Sequence, residues 1–313
     1  MSVQKAPAET LLSIRNLSVQ FPVPGRGTVR AVDNISLDLR KGETLGLVGE
    51  SGCGKTTLGR AILRLNQPAA GTIEWRGADQ SLTDLRRRVQ MIFQDPYSSL
   101  NPRMTIGAII GEPLRALRIA NGKAAEERVV QLMEQVGLDP RLRTRFPGQL
   151  SGGQRQRTGI ARALAANPEL IVADEPIAAL DVSIQAQILN LLEKLRVDLG
   201  LTYLFISHDL RAVRYLADRI AVMYLGELVE FGNAQDVGRS PLMPYTKALM
   251  DAAPSLTGRT QRMVLAGDIP SPMSPPSGCR FRTRCPYATA ECAQSKPLLR
   301  EIQPGHFAAC IRI

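Results

Sequence analysis

No stretch of the 313 residues stays apolar for the roughly 18 positions that a membrane-spanning helix needs. The opening MSVQKAPAETLLSIRNLSV also lacks an apolar core followed by a small-residue cleavage site. The expectation is a cytoplasmic chain with no span of its own. Aromatic residues make up only 4%, and basic residues are scattered, as in LRRR at 85–88 and RLRTR at 141–145. A platform of stacked rings for single-stranded nucleic acid is therefore disfavoured. The formal net charge of +10 does not by itself choose between nucleic acid, an anionic membrane surface and a solvated exterior. With 44% hydrophobic side chains, the chain can bury the core of one large or two modest domains.

The chemistry begins at ETLGLVGESGCGKTTLGRAIL, which reads as an apolar strand, a glycine turn and a helix. Gly49, Gly54, Lys55 and Thr56 fit the GxxxxGK[ST] spacing of a phosphate-binding loop. Gly49, Gly52 and Gly54, with Ser51 and Cys53 between them, let the backbone curl so that amide N–H groups face phosphate oxygens. Lys55 is placed to neutralise β- and γ-phosphate charge. Thr56 suits Mg²⁺, and Thr57 can donate to a phosphate. Cys53, among amides and beside Lys55, is either a thiol of lowered pKa or a small filler. Downstream, PELIVADEP at 168–176 supplies a buried parallel strand, Leu170 to Ala173, that ends in two carboxylates. Asp174 can hold Mg²⁺ through water, and Glu175 can accept a proton from an attacking water. As adjacent strand-end residues they are expected to point to opposite faces.

Between these halves lies QLSGGQRQRTGIARAL, whose Leu150 to Gln154 resemble the signature of ABC-transporter ATPases. A helix from about Gln154 to Ala166 is expected to follow. The resemblance covers residues 12–235. It implies an α/β P-loop NTPase fold with a RecA-like core sheet, an antiparallel β subdomain and an α-helical signature subdomain at about 98–160. It also implies that Ser151, Gly153 and Gln154 face a nucleotide held by a second subunit. Gln94 in MIFQDPYSSLNP matches the Q-loop, where its amide would reach Mg²⁺ or the attacking water. Asp181 in AALD matches the D-loop and His208 in FISHDL the switch histidine. Phe21 is a candidate for stacking on adenine, the alternative being an ordinary strand or core phenylalanine. ATP and Mg²⁺ are the implied cofactors, with Glu175, His208, Lys55 and Gln94 the catalytic set. Where EPTSALD is common in the family this chain has EPIAALD, so Ile177 and Ala178 lack hydroxyls for bonds across a dimer interface.

Four of the five cysteines, Cys279, Cys285, Cys292 and Cys310, are spaced C-x5-C-x6-C-x17-C near the C-terminus. In a reducing compartment, clustered cysteines favour metal over disulfides. The absence of a CxxC pair weakens a zinc ribbon, and four thiolates also suit a 4Fe-4S cluster. Zinc and free thiols stay open as alternatives. Arg280, Arg282, Arg284 and Arg300 either offset a negative tetrathiolate centre or are simply solvated. His306 is expected in a second shell or on the surface.

Beyond the shared motifs, SPLMPYTKALMDAAP and the cysteine region are similar to the ATPase subunits of bacterial oligopeptide and dipeptide importers. This resemblance implies the 4Fe-4S cluster. It divides the chain into a nucleotide-binding domain at 1–240, a helix and an extended Pro-rich linker at 241–277, and a metal-stapled region at 278–313. It places the protein on the cytoplasmic face of the bacterial inner membrane. The implied partners are two permease subunits and a second ATPase subunit, a related sibling, with an extracytoplasmic solute-binding protein acting indirectly and no nucleic acid. The cargo, whether dipeptide, oligopeptide, nickel or another small solute, is not written in this chain. The competing class is a soluble ABC ATPase acting on ribosomes or DNA. Those acting on ribosomes usually have two cassettes, and here there is one LSGGQ and one phosphate loop.

Overall fold

A computed structural model describes residues 9–25, 27–178, 180–252 and 267–313. The chain gathers into two compact units. One is built on Asp79–Leu204 with Arg40–Glu43, the other on Thr10–Leu39, Thr44–Ala78 and Phe205–Ile313. Among the described residues no helix is long and apolar enough to cross a membrane.

The second of these units holds two sheets. In strand Thr10–Val23, Leu12, Ile14, Leu17 and Val19 are buried, and Ile35, Leu37 and Leu39 alternate inward along strand Gly27–Arg40. Strand Ala70–Trp75 completes this three-stranded sheet, running antiparallel to the first with Leu12 opposite Trp75 and Ile14 opposite Ile73. The second sheet centres on Thr44–Val48, every residue of which is buried, as a strand covered on both faces requires. It runs parallel to Arg219–Tyr224, with Leu45 opposite Arg219 and Val48 opposite Val222. Antiparallel strands Glu227–Asn233, His306–Ala308 and Arg300–Gln303 continue the sheet outward. The C-terminal residues are thus built into the sheet that carries the phosphate loop.

The unit around Asp79–Leu204 joins strand Val89–Ile92 in parallel to Leu170–Asp174, with Ile92 opposite Ala173. Three helices, Ile106–Ala116, Gly122–Gln135 and Gly152–Leu164, pack together. Their apolar stripes bury Ile106, Ile110 and Leu114 with Val129, Leu132, Met133, Ile160 and Leu164. Each such side chain contributes about 1.5–3 kcal/mol by leaving water.

The signature helix begins two residues earlier than expected, at Gly152, because Ser151 caps it. Helix Pro244–Ala252 opens the expected linker segment, and residues 253–266 of that segment lie outside the described residues. The proline-rich stretch is not uniformly extended. The Ser274 N–H donates to the Ser271 carbonyl at 3.1 Å, closing a turn.

Candidate functional site

Strand Thr44–Val48 delivers the chain to Gly49, whose φ of 153° belongs to the region open to glycine. A Cβ there would lie 2.2 Å from the Met223 carbonyl oxygen. Gly54, at φ 109°, is the N-cap of helix Lys55–Ile62, and a Cβ would lie 2.0 Å from the Ala31 carbonyl oxygen. The curl therefore needs both the glycine conformation and the missing side chain. Lys55 is 4% exposed, and its ammonium donates to the carbonyls of Gly49 at 2.7 Å and Glu50 at 3.0 Å. It spans the loop from inside. Thr56 and Thr57 follow in the first turn, half-buried. Burial pushes the Cys53 thiol up, and this outweighs the opposing pull of Lys55. Of the two sequence readings of Cys53, its burial supports the small filler and not the thiol of lowered pKa.

The same unit holds two further candidates. The Ser207 N–H donates to the Leu47 carbonyl at 3.2 Å, so the segment leading to His208 is registered on the phosphate-loop strand. His208 itself is exposed. Asp209, next to it, accepts from the N–H groups of Arg211 and Ala212 and caps helix Leu210–Leu216. Phe21 is 40% exposed on its strand, so it is not a core phenylalanine.

Within the other unit, Asp174 closes its buried strand at 1% exposure. Glu175 does not simply alternate to the opposite face as expected. Its φ is 45°, a left-handed conformation uncommon for a residue with a Cβ, so the chain turns there. Its carboxylate accepts from the Gln94 amide at 2.9 Å. Strain of this kind persists only where the surroundings over-determine it, and it concentrates at functional sites.

Ser151 Oγ accepts from the Gln154 N–H at 3.3 Å, and Gln154 Oε1 accepts from the Ser151 N–H at 2.9 Å. This capping box satisfies two N-terminal amides, and loss of such a cap costs about 1 kcal/mol. A Cβ on Gly153 would come within 2.9 Å of Ile184, so the glycine also allows close packing of helix Val182–Leu199. Asp181 is the exposed N-cap of that helix. Ile177 is buried at 2% exposure and Ala178 is exposed. The Ile177 substitution thus places a methyl-rich side chain in the interior.

In the C-terminal region, Cys279, Cys285, Cys292 and Cys310 line one cavity of about 320 Å³ with Met243, Phe281 and Ile311. All four are free thiols. Among the described residues no group of three His, Cys, Asp or Glu side chains is gathered to hold a single metal ion. Burial pushes Cys279 and Cys285 up, whereas hydrogen bonds from Thr289 hold Cys292 down. His306 is not on the surface. At 2% exposure, its Nε2 is 2.8 Å from the buried Glu230 carboxylate, which also accepts from the N–H groups of Leu242 and Met243. The arginines expected to face the thiols have other work too. Arg280 pairs with Asp33 and Glu227, Arg284 with Glu50, and Arg282 with the Ser277 carbonyl. Glu50, Arg284 and Tyr245, whose hydroxyl accepts from the Glu50 N–H at 2.8 Å, have no sequence signal that links them.

A family profile described as ABC transporter matches residues 32–178, and one described as oligopeptide/dipeptide transporter, C-terminal region, matches residues 229–292. The chain is 48% identical to the oligopeptide transport ATP-binding protein AppF of Bacillus subtilis, covering 97% of this chain and 98% of that protein. It is equally 48% identical to the oligopeptide transport ATP-binding protein OppF of Salmonella typhimurium, covering 97% of each. Among solved structures, it is similar to a dimeric ATP-binding cassette in a post-hydrolysis state bound to ADP and Pi. That likeness has a TM-score of 0.65 at 30% identity over 72% of this chain and 99% of the other. With the ABC ATPase fold, the glycine-built phosphate loop and a matching C-terminal region all present, the chain belongs to the ATP-binding subunits of the oligopeptide/dipeptide ABC transporter family.

Proposed function

We propose that this protein is the ATP-hydrolysing subunit that powers import of dipeptides or oligopeptides. The single observation that carries this reading is similarity running through nearly the whole chain, the C-terminal region at 229–292 included, to ATP-binding proteins of oligopeptide transport. Its partners are two membrane-spanning permease subunits and a second ATPase subunit, a related sibling. A solute-binding protein outside the cytoplasm selects the cargo. The working location is the cytoplasmic face of the inner membrane, where the permeases supply the path.

Hydrolysis of ATP offers the protein little covalent chemistry, so positioning and charge neutralisation carry it. In the proposed mechanism, the loop amides of Gly49 to Thr57 and the Lys55 ammonium bind the β- and γ-phosphates, and Phe21 stacks on the base. Thr56, Asp174 and Gln94 offer the oxygen donors that Mg²⁺ prefers, and Asp174 stands at a buried strand end as such a ligand requires. When bound, Mg²⁺ neutralises phosphate charge. Glu175 takes the proton of the attacking water as general base, and the hydrogen bond from Gln94 orients its carboxylate. His208 stabilises the γ-phosphate, while Ser151, Gly153, Gln154 and Asp181 serve the nucleotide held by the second subunit. The capping box orders the N-terminus of the signature helix, and a helix N-terminus favours an anion, which supports this assignment.

The four thiols around one cavity fit a 4Fe-4S cluster, which takes four cysteine ligands at wide sequence spacing. Cys279, Cys285, Cys292 and Cys310 would hold it. When bound, the cluster cross-links the tail. Anaerobically purified protein is expected to carry visible absorbance and stoichiometric iron, and colourless iron-free protein would remove the assignment.

The function is tested by reconstituting the complete transporter. Peptide-loaded solute-binding protein is expected to stimulate ATP hydrolysis and drive peptide uptake. Stimulation by nickel and not by peptides would redirect the reading to metal import.

A further inference from the structure

We infer that the C-terminal cysteine region positions the phosphate-binding loop, with Arg284 acting on Glu50 and Arg280 acting on the turn that supports Cys53. The inference rests on the reading of that loop as the ATP site.

The first attachment is direct. Glu50 follows the loop's first glycine, and its carboxylate accepts both terminal nitrogens of Arg284, at 2.6 and 2.9 Å. The Arg284 side chain is only 6% exposed and that of Glu50 20%, so the pair is shielded from solvent. Bidentate geometry of this kind fixes orientation as well as charge. The Glu50 N–H donates to the Tyr245 hydroxyl at 2.8 Å, and the Glu50 carbonyl accepts from Lys55. Backbone and side chain of this one loop residue are thus each held. Tyr245, Tyr224 and Phe281 pack against one another in tilted and edge-to-face contacts, with ring centroids 4.7 to 5.3 Å apart.

The second attachment passes through one turn. Arg280 donates to the Leu225 carbonyl, and the N–H of the next residue, Gly226, donates to the Cys53 carbonyl at 2.9 Å. Arg280 also pairs with Asp33 and, at 2.9 Å, with Glu227. Both arginines lie between or beside Cys279 and Cys285, so the segment that lines the thiol cavity is the segment that grips the loop.

The reason is electrostatic. A carboxylate beside a polyphosphate site repels the ligand unless it is neutralised, and Arg284 neutralises Glu50 while holding it to one orientation. Arg284 is therefore a positioning residue that works through Glu50.

The test titrates full-length protein with a fluorescent ATP analogue and measures KM and kcat for ATP. Arg284→Gln is expected to weaken ATP binding about tenfold, with kcat at saturating ATP changed less than twofold. Adding Glu50→Gln to it is expected to restore most of the affinity, because the unopposed carboxylate is gone. Arg284→Lys, which keeps the charge but loses the fork, should fall between wild type and Arg284→Gln, and it carries the test if Arg284→Gln does not fold. Unchanged affinity in both Arg284 variants overturns the inference, as does a double variant as weak as the single one. Wild-type protein that fails to bind the analogue would instead sink the loop's assignment as the ATP site.

Discussion

Gln94 donates to the Glu175 carboxylate at 2.9 Å, and Glu175 is held at a φ of 45°. A residue with a Cβ in that region costs roughly 1–3 kcal/mol, so the fold retains a strained turn where it presents this carboxylate.

Glu175→Gln keeps the side chain's shape and removes its basicity. Hydrolysis is expected to fall by about 10² to 10⁴ while ATP binding persists, and the closed dimer should accumulate. Single-turnover kinetics with size-exclusion chromatography in ATP provide the check. Near-wild-type turnover would take the general-base role from Glu175.

Gly54→Ala places a Cβ against the Ala31 carbonyl oxygen in a backbone conformation that alanine resists. ATP affinity should drop at least about tenfold, and the melting temperature should fall as well. Retention of both would mean that the loop shifts freely.

Because burial raises the Cys53 pKa, the folded protein holds that thiol protonated to higher pH than the unfolded chain does. The resulting stability is fully present below the ordinary thiol pKa and is lost as pH rises through the higher folded value. Peptide-mapped alkylation should find Cys53 slow at pH 8 in folded protein and fast in denaturant. Rapid native labelling would contradict the burial.

Glu230→Ala leaves His306 and the N–H groups of Leu242 and Met243 without their shared acceptor inside the protein. A loss of about 3 kcal/mol in unfolding free energy is expected. Denaturant midpoints of Glu230→Ala and His306→Ala measure it, and the His306 change should be the milder because two backbone bonds survive.

The proposed nucleotide site is readable in the sequence because its motifs are local. Gly49, Gly54, Lys55 and Thr56 sit within one turn and its helix, and Asp174 and Glu175 end one strand. The cap at Ser151 and Gln154 was within reach of sequence rules too, since serine followed three residues later by glutamine is a capping-box pattern. What stayed hidden depends on the fold. The left-handed turn at Glu175 comes from the packed surroundings of a strand end. The raised Cys53 pKa reflects burial, which outweighs the neighbouring lysine that sequence displays. His306 looked peripheral because its partner Glu230 lies on another strand of the same sheet. The arginines of the tail looked like counter-charges for thiols because their carboxylates, Asp33, Glu50 and Glu227, lie far away along the chain.

The separation between Arg284 and Glu50 is 234 positions. During synthesis the glycines, Lys55 and the threonines of the loop leave the ribosome long before the guanidinium that holds their neighbour Glu50 exists. Joining such distant points is slow compared with forming the local turn. A nascent or prematurely terminated chain therefore carries the whole phosphate-binding motif with Glu50 unopposed. On the inference drawn above, a segment made long after the loop completes it, and the grip on ATP is expected to mature only once Arg284 has reached Glu50.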